Sequence, residues 1–403
     1  MVNYPDIKKP IEFRFPTDAE WLFVVTLVLS LTVSFFFIPQ TNTDTYLLYV
    51  SFFLLSTFFV FLSDLSNNKR VGIFLFAIGM ILLGSIMAFR NKTGIDDYAY
   101  EKFFLKVVNG DIKDVFLHAD LETGYLFLNF IIASLGITDY CYAMTIISYL
   151  SFLFWGLAFW RYRERCNLSV MILLLWSNYY FFVLSAGLVR IFLSLPLALI
   201  AIEMISSKKI KSFVFMVLAA SLFHRSALIL LLLTPLFFEK IIDHWKLFVG
   251  SLTFLIPVFF VFIAKVIVPM LGSRYANYGN IGELSASIGK FDILPLWIMG
   301  FYYFQFIQKT NKRLYTLGMV TLSLSIIFSI CSSLVPLGRL IFFANLGILI
   351  IASNIFKQKP VGIFEMFVPC IFVVYSCIYV MHTNFLNPFN MAHLFPYQTY
   401  LFE

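Results

Sequence analysis

Five arginines lie beside long apolar runs of the sequence, in places where a charged side chain needs a physical reason. An arginine inside an apolar membrane segment costs on the order of 2.5–3.5 kcal/mol on insertion scales. Either an internal carboxylate or an anionic ligand could offset that cost, and a set of five guanidinium groups favours the anionic ligand. These residues are Arg90, Arg190, Arg225, Arg274 and Arg339.

Three carboxylates and one histidine accompany the arginines and are candidate catalytic residues. A carboxylate or a neutral imidazole can take a proton from an attacking hydroxyl group. The alternative for the carboxylates is that they cap helix N-termini, and the alternative for the histidine is a packing role within the membrane. The four candidates are Asp96, Asp97, Glu122 and His224.

No metal or cofactor motif is present beside these residues. The sequence has no HExxH, no Asp-x-Asp, and no Walker or Rossmann glycine pattern. Its five cysteines are scattered without a CxxC pair, which favours small buried hydrophobic residues over ligands. We therefore expect a site that uses neither a metal nor a cofactor.

The elements that must position these residues are membrane helices. The 403 residues are 61% hydrophobic, 19% aromatic and only 13% charged, whereas soluble domains carry about 25% charged residues. Backbone polar groups in a bilayer are satisfied within helices. The expected fold class is all-α, a polytopic integral membrane protein with about 11–14 transmembrane or re-entrant helices, in a single domain over residues 1–403.

Uncharged runs of about twenty residues mark the spans, and two apolar segments are less regular. Residues 124–136 are too short to span upright. Residues 212–238 are interrupted at His224, which predicts two short helices meeting at a polar break that lines a cavity. The predicted spans are 20–38, 45–63, 71–89, 140–160, 168–185, 187–205, 246–269, 291–307, 314–333, 340–356 and 361–381.

The positions of lysine and arginine predict the orientation. Short basic clusters between the spans fall on one side, which is cytoplasmic by the positive-inside rule. The net charge of +7 therefore reflects membrane topology, and no nucleic-acid partner is expected. The tail 1–19 is then cytoplasmic, and all five arginines reach the outer face. That face also carries loop 90–123 with an amphipathic helix opened by Asp96 and Asp97, loop 270–290, and the tail 382–403.

Several short motifs together resemble the EpsG family of bacterial polysaccharide polymerases, relatives of the Wzy-type O-antigen polymerases. The resemblance runs from about residue 85 to the end of the chain. One departure is Ile191, where family members often carry glutamine. The motifs are Phe89-Arg90, Gly94-Ile95-Asp96-Asp97-Tyr98 with Tyr100, Glu122-x-Gly124-Tyr125, Leu188-Val189-Arg190, Phe223-His224-Arg225-Ser226-Ala227-Leu228, Gly338-Arg339 and Pro396-Tyr397.

The resemblance implies a membrane-embedded, GT-C-like glycosyltransferase at the periplasmic face of the bacterial inner membrane. Its donor would be an undecaprenyl-diphosphate-linked oligosaccharide, transferred with inversion to a hydroxyl of the next lipid-linked repeat unit. A chain-length-regulating co-polymerase would be a possible partner. On this reading four arginines bind the diphosphate, namely Arg90, Arg190, Arg225 and Arg339, and three loop residues contact glycan, namely Tyr98, Arg274 and Tyr275.

Other function classes share some of these sequence features. An O-antigen ligase or another lipid-phosphate-dependent glycosyltransferase would need the same residues with a different acceptor. A flippase or transporter should carry a polar path through the membrane and often inverted repeats, whereas the polar residues here gather in the outer half of the predicted spans. A structural scaffold would leave the five outward arginines unexplained.

Overall fold

The computed structural model describes residues 13–16, 18–36, 40, 43–91, 93–94, 96–110, 121–177, 179–262, 312–332, 339–357, 371, 374–375 and 397–400. Regular structure in these ranges is helical, with β pairing limited to two isolated bridges. The helices are α1 Asp18–Phe35, α2 Thr43–Leu65, α3 Lys69–Ala88, α4 Asp97–Val108, α5 Thr123–Ser134, α6 Tyr140–Tyr162, α7 Leu168–Ser177, α8 Tyr179–Ala186, α9 Val189–Ser206, α10 Ile210–Phe223, a 3₁₀ helix Arg225–Phe237, α11 Glu239–Asp243, α12 Trp245–Phe262, α13 Lys312–Ser332 and α14 Arg339–Lys357.

The chain is a multi-pass, all-α membrane protein, as the composition predicts. Five of the described helices are long and apolar enough to cross a bilayer, namely α2, α3, α6, α9 and most of α13. Seven more apolar helices of the described ranges are shorter, including α10, the 3₁₀ helix and α14. The predicted span 291–307 lies outside the described residues, as does most of 361–381.

Helix α7 is buried along its whole length. All ten of its residues are buried, as expected of a helix that is apolar on every side. The Trp176 indole stacks on Phe53 of α2 with ring centroids 4.8 Å apart, and its Nε1 donates to the Thr57 hydroxyl at 3.0 Å. A buried tryptophan thus keeps its one polar atom satisfied while filling the core.

The structure divides two of the predicted apolar segments into shorter helices. The predicted span 168–185 is divided between α7 and the eight-residue α8. The predicted polar break in 212–238 is confirmed, because α10 ends at Phe223 and the 3₁₀ helix begins at Arg225. This 3₁₀ helix has 13 residues, far more than the usual three or four.

Small residues let α2 and α3 pack closely as an antiparallel hairpin. The Ser56 hydroxyl donates to the Gly79 carbonyl at 2.7 Å, and the Ser63 hydroxyl donates to the Gly72 carbonyl at 2.7 Å. A Cβ atom at Gly79 would lie 2.8 Å from the Ser56 carbonyl oxygen. Glycine is therefore required there by the approach of the two helices.

Most of the described ion pairs lie at one end of the bundle and involve residues of the predicted basic clusters. Arg161 pairs with Glu203 of α9 at 3.1 Å. Lys208 and Arg313 both pair with Glu239 at 2.6 Å. Arg90, Arg190 and His224 lie at the opposite end, together with described residues 397–400 of the C-terminal tail. The antiparallel order of the helices thus separates these ion pairs from Arg90, Arg190 and His224.

Residues 397–400 form hydrogen bonds with the end of the bundle that carries Arg90. Tyr397 donates from its hydroxyl to the Ile86 carbonyl at 2.9 Å. The backbone N–H of Asn91 donates to the Gln398 carbonyl at 2.9 Å. Tyr400 and Thr145 share a hydrogen bond of 2.5 Å between their hydroxyl groups. These contacts anchor the loop that follows α3.

We predict that the end with Arg90 faces outward and the end with Glu203 faces the cytoplasm. In whole cells, Asn109→Cys should react with an impermeant thiol reagent, whereas Ser207→Cys should react only after permeabilisation. Both labels are compared with the unsubstituted chain, because Cys141 is partly exposed. Labelling of Ser207→Cys with protection of Asn109→Cys would reverse the topology.

Candidate functional site

Three side chains from distant parts of the sequence meet at the Arg90 end of the bundle. The Arg190 guanidinium forms an ion pair with the Glu122 carboxylate. The other Glu122 oxygen lies 3.9 Å from His224 Nε2. His224 and Glu122 are buried and the Arg190 side chain is largely so. We call these three residues, together with Asp96, Tyr100 and Arg339, the outer cluster.

Local backbone structure places Glu122 and His224 next to each other. Glu122 is the N-cap residue of α5 and makes no side-chain cap hydrogen bond, so its carboxylate is available to Arg190. Gly124, in the first turn of α5, packs on the end of α10, where a Cβ atom would lie 2.7 Å from the Leu222 carbonyl oxygen. The glycine in the Glu122-x-Gly124 motif therefore allows the approach that brings Glu122 to His224.

Arg190 is held by residues on both sides. It is the second residue of α9, so its side chain leaves the helix near the free N–H groups of the first turn, where anions are favoured. The Tyr100 hydroxyl lies within electrostatic range of Arg190, and Tyr100 is itself buried against the ring of Tyr125 at 5.5 Å. The ion pair with Glu122 thus fixes the direction of the guanidinium, with Tyr100 beside it.

The hydrogen bonds of His224 assign its ring nitrogens different roles. His224 ends α10 in extended backbone conformation, and its Nδ1 accepts from the backbone N–H of Ser226 at 3.3 Å. A neutral ring that accepts at Nδ1 carries its proton on Nε2, which is the atom that faces Glu122. In this arrangement neither nitrogen is free to act as a base. His224 is thus suited to orienting Glu122.

Asp96 is the carboxylate of the outer cluster with the most access to solvent. It precedes α4, is partly exposed, and makes no cap hydrogen bond, so the alternative of a capping role is not supported. Burial raises the pKa of the Asp96 carboxyl, and the positive charges of Arg190 and Arg339 oppose that rise. Asp96 therefore lies within electrostatic range of two arginines that come from different helices.

The remaining arginines of the prediction differ in their surroundings. Arg339 is the first residue of α14, is exposed, and acts electrostatically on both Asp96 and His224. Arg225 is exposed at the start of the 3₁₀ helix, directly after His224. Tyr98 is 77% exposed at the start of α4. Arg274 and Tyr275 lie outside the described residues.

Arg90 and Asp97 form a separate, deeply buried pair behind the outer cluster. Their charged groups are 3.6 Å apart, and Arg90 is only 3% exposed. Arg90 also donates to the carbonyls of Met87 at 2.9 Å and Ala186 at 3.1 Å, and Asp97 accepts from the Tyr140 hydroxyl at 3.0 Å. Both side chains are thus engaged within the protein, which fits the internal ion-pair alternative for these two residues.

Gly94 makes this buried arrangement possible. Its φ of +144° is a conformation that residues with side chains rarely adopt. A Cβ atom there would lie 2.5 Å from the Ala186 carbonyl oxygen. The loop between α3 and α4 therefore packs directly on the end of α8, just before the turn into α9 and Arg190.

Tyr100 and Tyr140 are the residues of this end that reasoning from the sequence did not identify as site residues. Tyr100 belongs to the polar motif after Arg90, and it lies three positions beyond Asp97 on the face of α4 that is buried. That helical spacing was the available signal. Tyr140 is 43 residues from Asp97, and nothing in the sequence pattern connects them.

Within the described part of the chain, no group of three or more His, Cys, Asp or Glu side chains is placed to hold a metal ion. The charges available at the outer cluster are those of its own arginines and carboxylates.

Comparison with known proteins gives one result. The EpsG family model matches residues 73–399, which include every residue of the outer cluster and the Arg90–Asp97 pair. Neither the curated proteins nor the solved structures yield a match. Because the match covers most of the chain and all of the arranged polar residues, the chain belongs to the EpsG family.

Proposed function

We propose that this protein is a polysaccharide polymerase that transfers a glycan from an undecaprenyl-diphosphate carrier to a hydroxyl of the next lipid-linked repeat unit. The observation that carries the proposal is the outer cluster, where a partly exposed carboxylate lies within electrostatic range of two arginines. Membership of the EpsG family supports a polymerase-type glycosyltransferase in general. The product would be an O-antigen, a capsule or an exopolysaccharide.

The arginines supply the charge that the leaving group requires. Arg190 and Arg339 would bind the diphosphate, with Arg225 at the exposed edge. Charge-assisted bonds from arginine to phosphate are worth about 1.5–3 kcal/mol each. They strengthen as negative charge develops on the departing oxygen, and such electrostatic stabilisation is commonly the largest catalytic contribution.

Asp96 is the best placed of the four candidates to act as the general base. It would take the proton of the acceptor hydroxyl while that oxygen attacks the anomeric carbon, and the bond to the diphosphate would break with its electron pair leaving on the diphosphate oxygen. Glu122 is paired with Arg190, Asp97 is paired with Arg90, and the neutral ring of His224 has its acceptor nitrogen in use. A single displacement inverts the anomeric centre.

The remaining polar residues would position this machinery. Glu122 and Tyr100 would keep the Arg190 guanidinium aimed at the phosphate, and His224 would keep Glu122 in place. Arg90 and Asp97 would hold the loop between α3 and α4 against α8, so that Asp96 lies beside Arg190. Tyr98, Arg274 and Tyr275 would contact the glycan.

Purified protein tests this proposal when it is mixed with a lipid-linked repeat unit in detergent. We expect a ladder of glycans that differ by one repeat unit. A ligase would instead form a single product on a second lipid acceptor, and a flippase would leave the glycan length unchanged. Either of those two results would replace the polymerase proposal.

We expect polymerisation to need no divalent metal, because the arginines take over charge neutralisation on the diphosphate. The rate of ladder formation in excess EDTA should stay within about twofold of the rate with Mg²⁺, since no metal–phosphate contact is lost. A loss of activity that Mg²⁺ or Mn²⁺ restores would show that the arginines alone do not carry this role.

A further inference from the structure

A polar pocket lies at the end of the bundle opposite to the outer cluster. It has a volume of about 240 Å³ and lies where the turn between α2 and α3 meets the ends of α6 and α14. Basic side chains line this pocket. Neither the proposed reaction nor the ion pairs at this end of the bundle account for the pocket. The residues that matter are Asp64, Lys69, Trp160, Arg163, Glu164 and Lys357.

The acidic groups of this pocket are already engaged. The Asp64 carboxylate accepts from the backbone N–H groups of Leu168 at 3.3 Å and Ser169 at 2.8 Å, so it caps α7. Glu164 pairs with Arg163 at 3.0 Å. The exposed side chains of Lys69 and Lys357 therefore give the pocket a positive charge that favours an anion.

An apolar groove continues from the pocket along the membrane part of the bundle. It has a volume of about 840 Å³ between α3 and α6, and its walls include Phe76, Met80, Leu153 and Gly156. Trp160 lines both the groove and the pocket. The Arg163 guanidinium lies 4.8 Å from the centre of that ring. An aromatic ring and a cation thus mark the junction, as they do at membrane interfaces.

We propose that the pocket and the groove together bind an anionic phospholipid, with its phosphate among Lys69, Arg163 and Lys357 and an acyl chain along α3 and α6. The charge of the pocket selects an anionic head group over a zwitterionic one. The site is separate from the outer cluster, because the 20 residues of α3 carry it about 30 Å away. This lipid would bind whether or not a glycan substrate is present.

Thermal unfolding of the purified chain in detergent tests the head-group half of the proposal. Phosphatidylglycerol should raise the unfolding temperature of the wild type by several degrees, and phosphatidylcholine should raise it much less, because a ligand stabilises the state that binds it. In the double variant Lys69→Ala/Lys357→Ala the lipid concentration needed for the same shift should rise roughly 10- to 30-fold. The control Lys209→Ala/Lys211→Ala removes two exposed lysines outside the pocket and should respond like wild type.

A second pair of variants tests the groove with the head-group lysines intact. Ala77 lines the groove from an exposed position, so Ala77→Trp fills it without disturbing the core. The matched control is Gly250→Trp, because a Cβ atom at Gly250 meets no other group within 4 Å. Ala77→Trp should lose the response to phosphatidylglycerol and Gly250→Trp should keep it.

Three results would overturn the proposal. The first is an equal response to the two phospholipids, and the second is an unchanged response in both Lys69→Ala/Lys357→Ala and Ala77→Trp. The third is a response to a polyprenyl phosphate that exceeds the response to phosphatidylglycerol, which would assign the site to a substrate-like lipid. Glycan polymerisation is not part of these measurements, so they are independent of the proposed function.

Discussion

Replacing Arg190 or Arg339 by lysine should lower the rate of glycan polymerisation by about 30- to 1,000-fold, equivalent to roughly 2–4 kcal/mol of lost transition-state stabilisation. The planar guanidinium binds two phosphate oxygens at once, whereas the lysine ammonium is a compact point charge. Lysine at position 190 can still pair with Glu122, so the loss would report on the phosphate contact. We expect Arg225→Lys also to lower the rate of glycan polymerisation.

The control for these variants is Arg70→Lys. Arg70 is exposed at the start of α3, at the opposite end of the bundle. The Arg70→Lys variant should therefore polymerise glycan at the wild-type rate. Polymer ladders from a deletion strain carrying each variant give the comparison, with the amount of protein in the membrane measured alongside. Wild-type ladders from Arg190→Lys, Arg225→Lys and Arg339→Lys, at normal expression, would return the arginines to a purely structural role.

Asp96→Asn should reduce the rate of transfer by about 100- to 10,000-fold, the usual contribution of a general base. The amide keeps the size of the side chain and removes its ability to accept a proton. A carboxylate works as a base only when ionised, so the wild-type rate should rise with pH through the pKa of Asp96. Burial raises that pKa above its ordinary value, and the rising limb should therefore lie at a higher pH than for an exposed aspartate. In Asp96→Asn this limb should be absent.

Glu101→Gln is the matched control for Asp96→Asn. Glu101 lies on α4, the helix that Asp96 precedes, and forms no salt bridge with another described residue. Its rate and pH profile should match those of the wild type. A normal pH profile in Asp96→Asn, with little loss of rate, would move the role of base to Glu122.

The helical, multi-pass fold could be read from composition and run length because a bilayer leaves helices as the main way to satisfy the backbone. The break at His224 was also predictable, since the three polar or charged residues His224-Arg225-Ser226 interrupt an apolar stretch there. The division of 168–185 between α7 and α8 was not. The break falls at Ser177-Asn178, an uncharged polar pair inside an otherwise apolar run, and a search for uncharged runs of about twenty residues passes over such a pair.

The identity of the site residues was more accessible than their pairing. Arg190 and Glu122 stand out because charges beside apolar runs are costly. Their ion pair joins residues 68 positions apart and depends on how α5 packs against α10 at Gly124. The sequence could not separate Arg90 from the other arginines either, because its burial follows from the close approach of Gly94 to Ala186. Sequence spacing describes one helix at a time, whereas these contacts arise between helices.

The central claim is that the outer cluster catalyses glycan transfer with release of a lipid diphosphate. The most direct measurement counts free undecaprenyl diphosphate and new glycosidic bonds in the same reaction of purified protein with a lipid-linked repeat unit. The account predicts one diphosphate released for each bond formed, a strong reduction of both in Arg190→Lys and Asp96→Asn, and wild-type amounts in Arg70→Lys. Equal amounts of both products in wild type, Arg190→Lys and Asp96→Asn would contradict it.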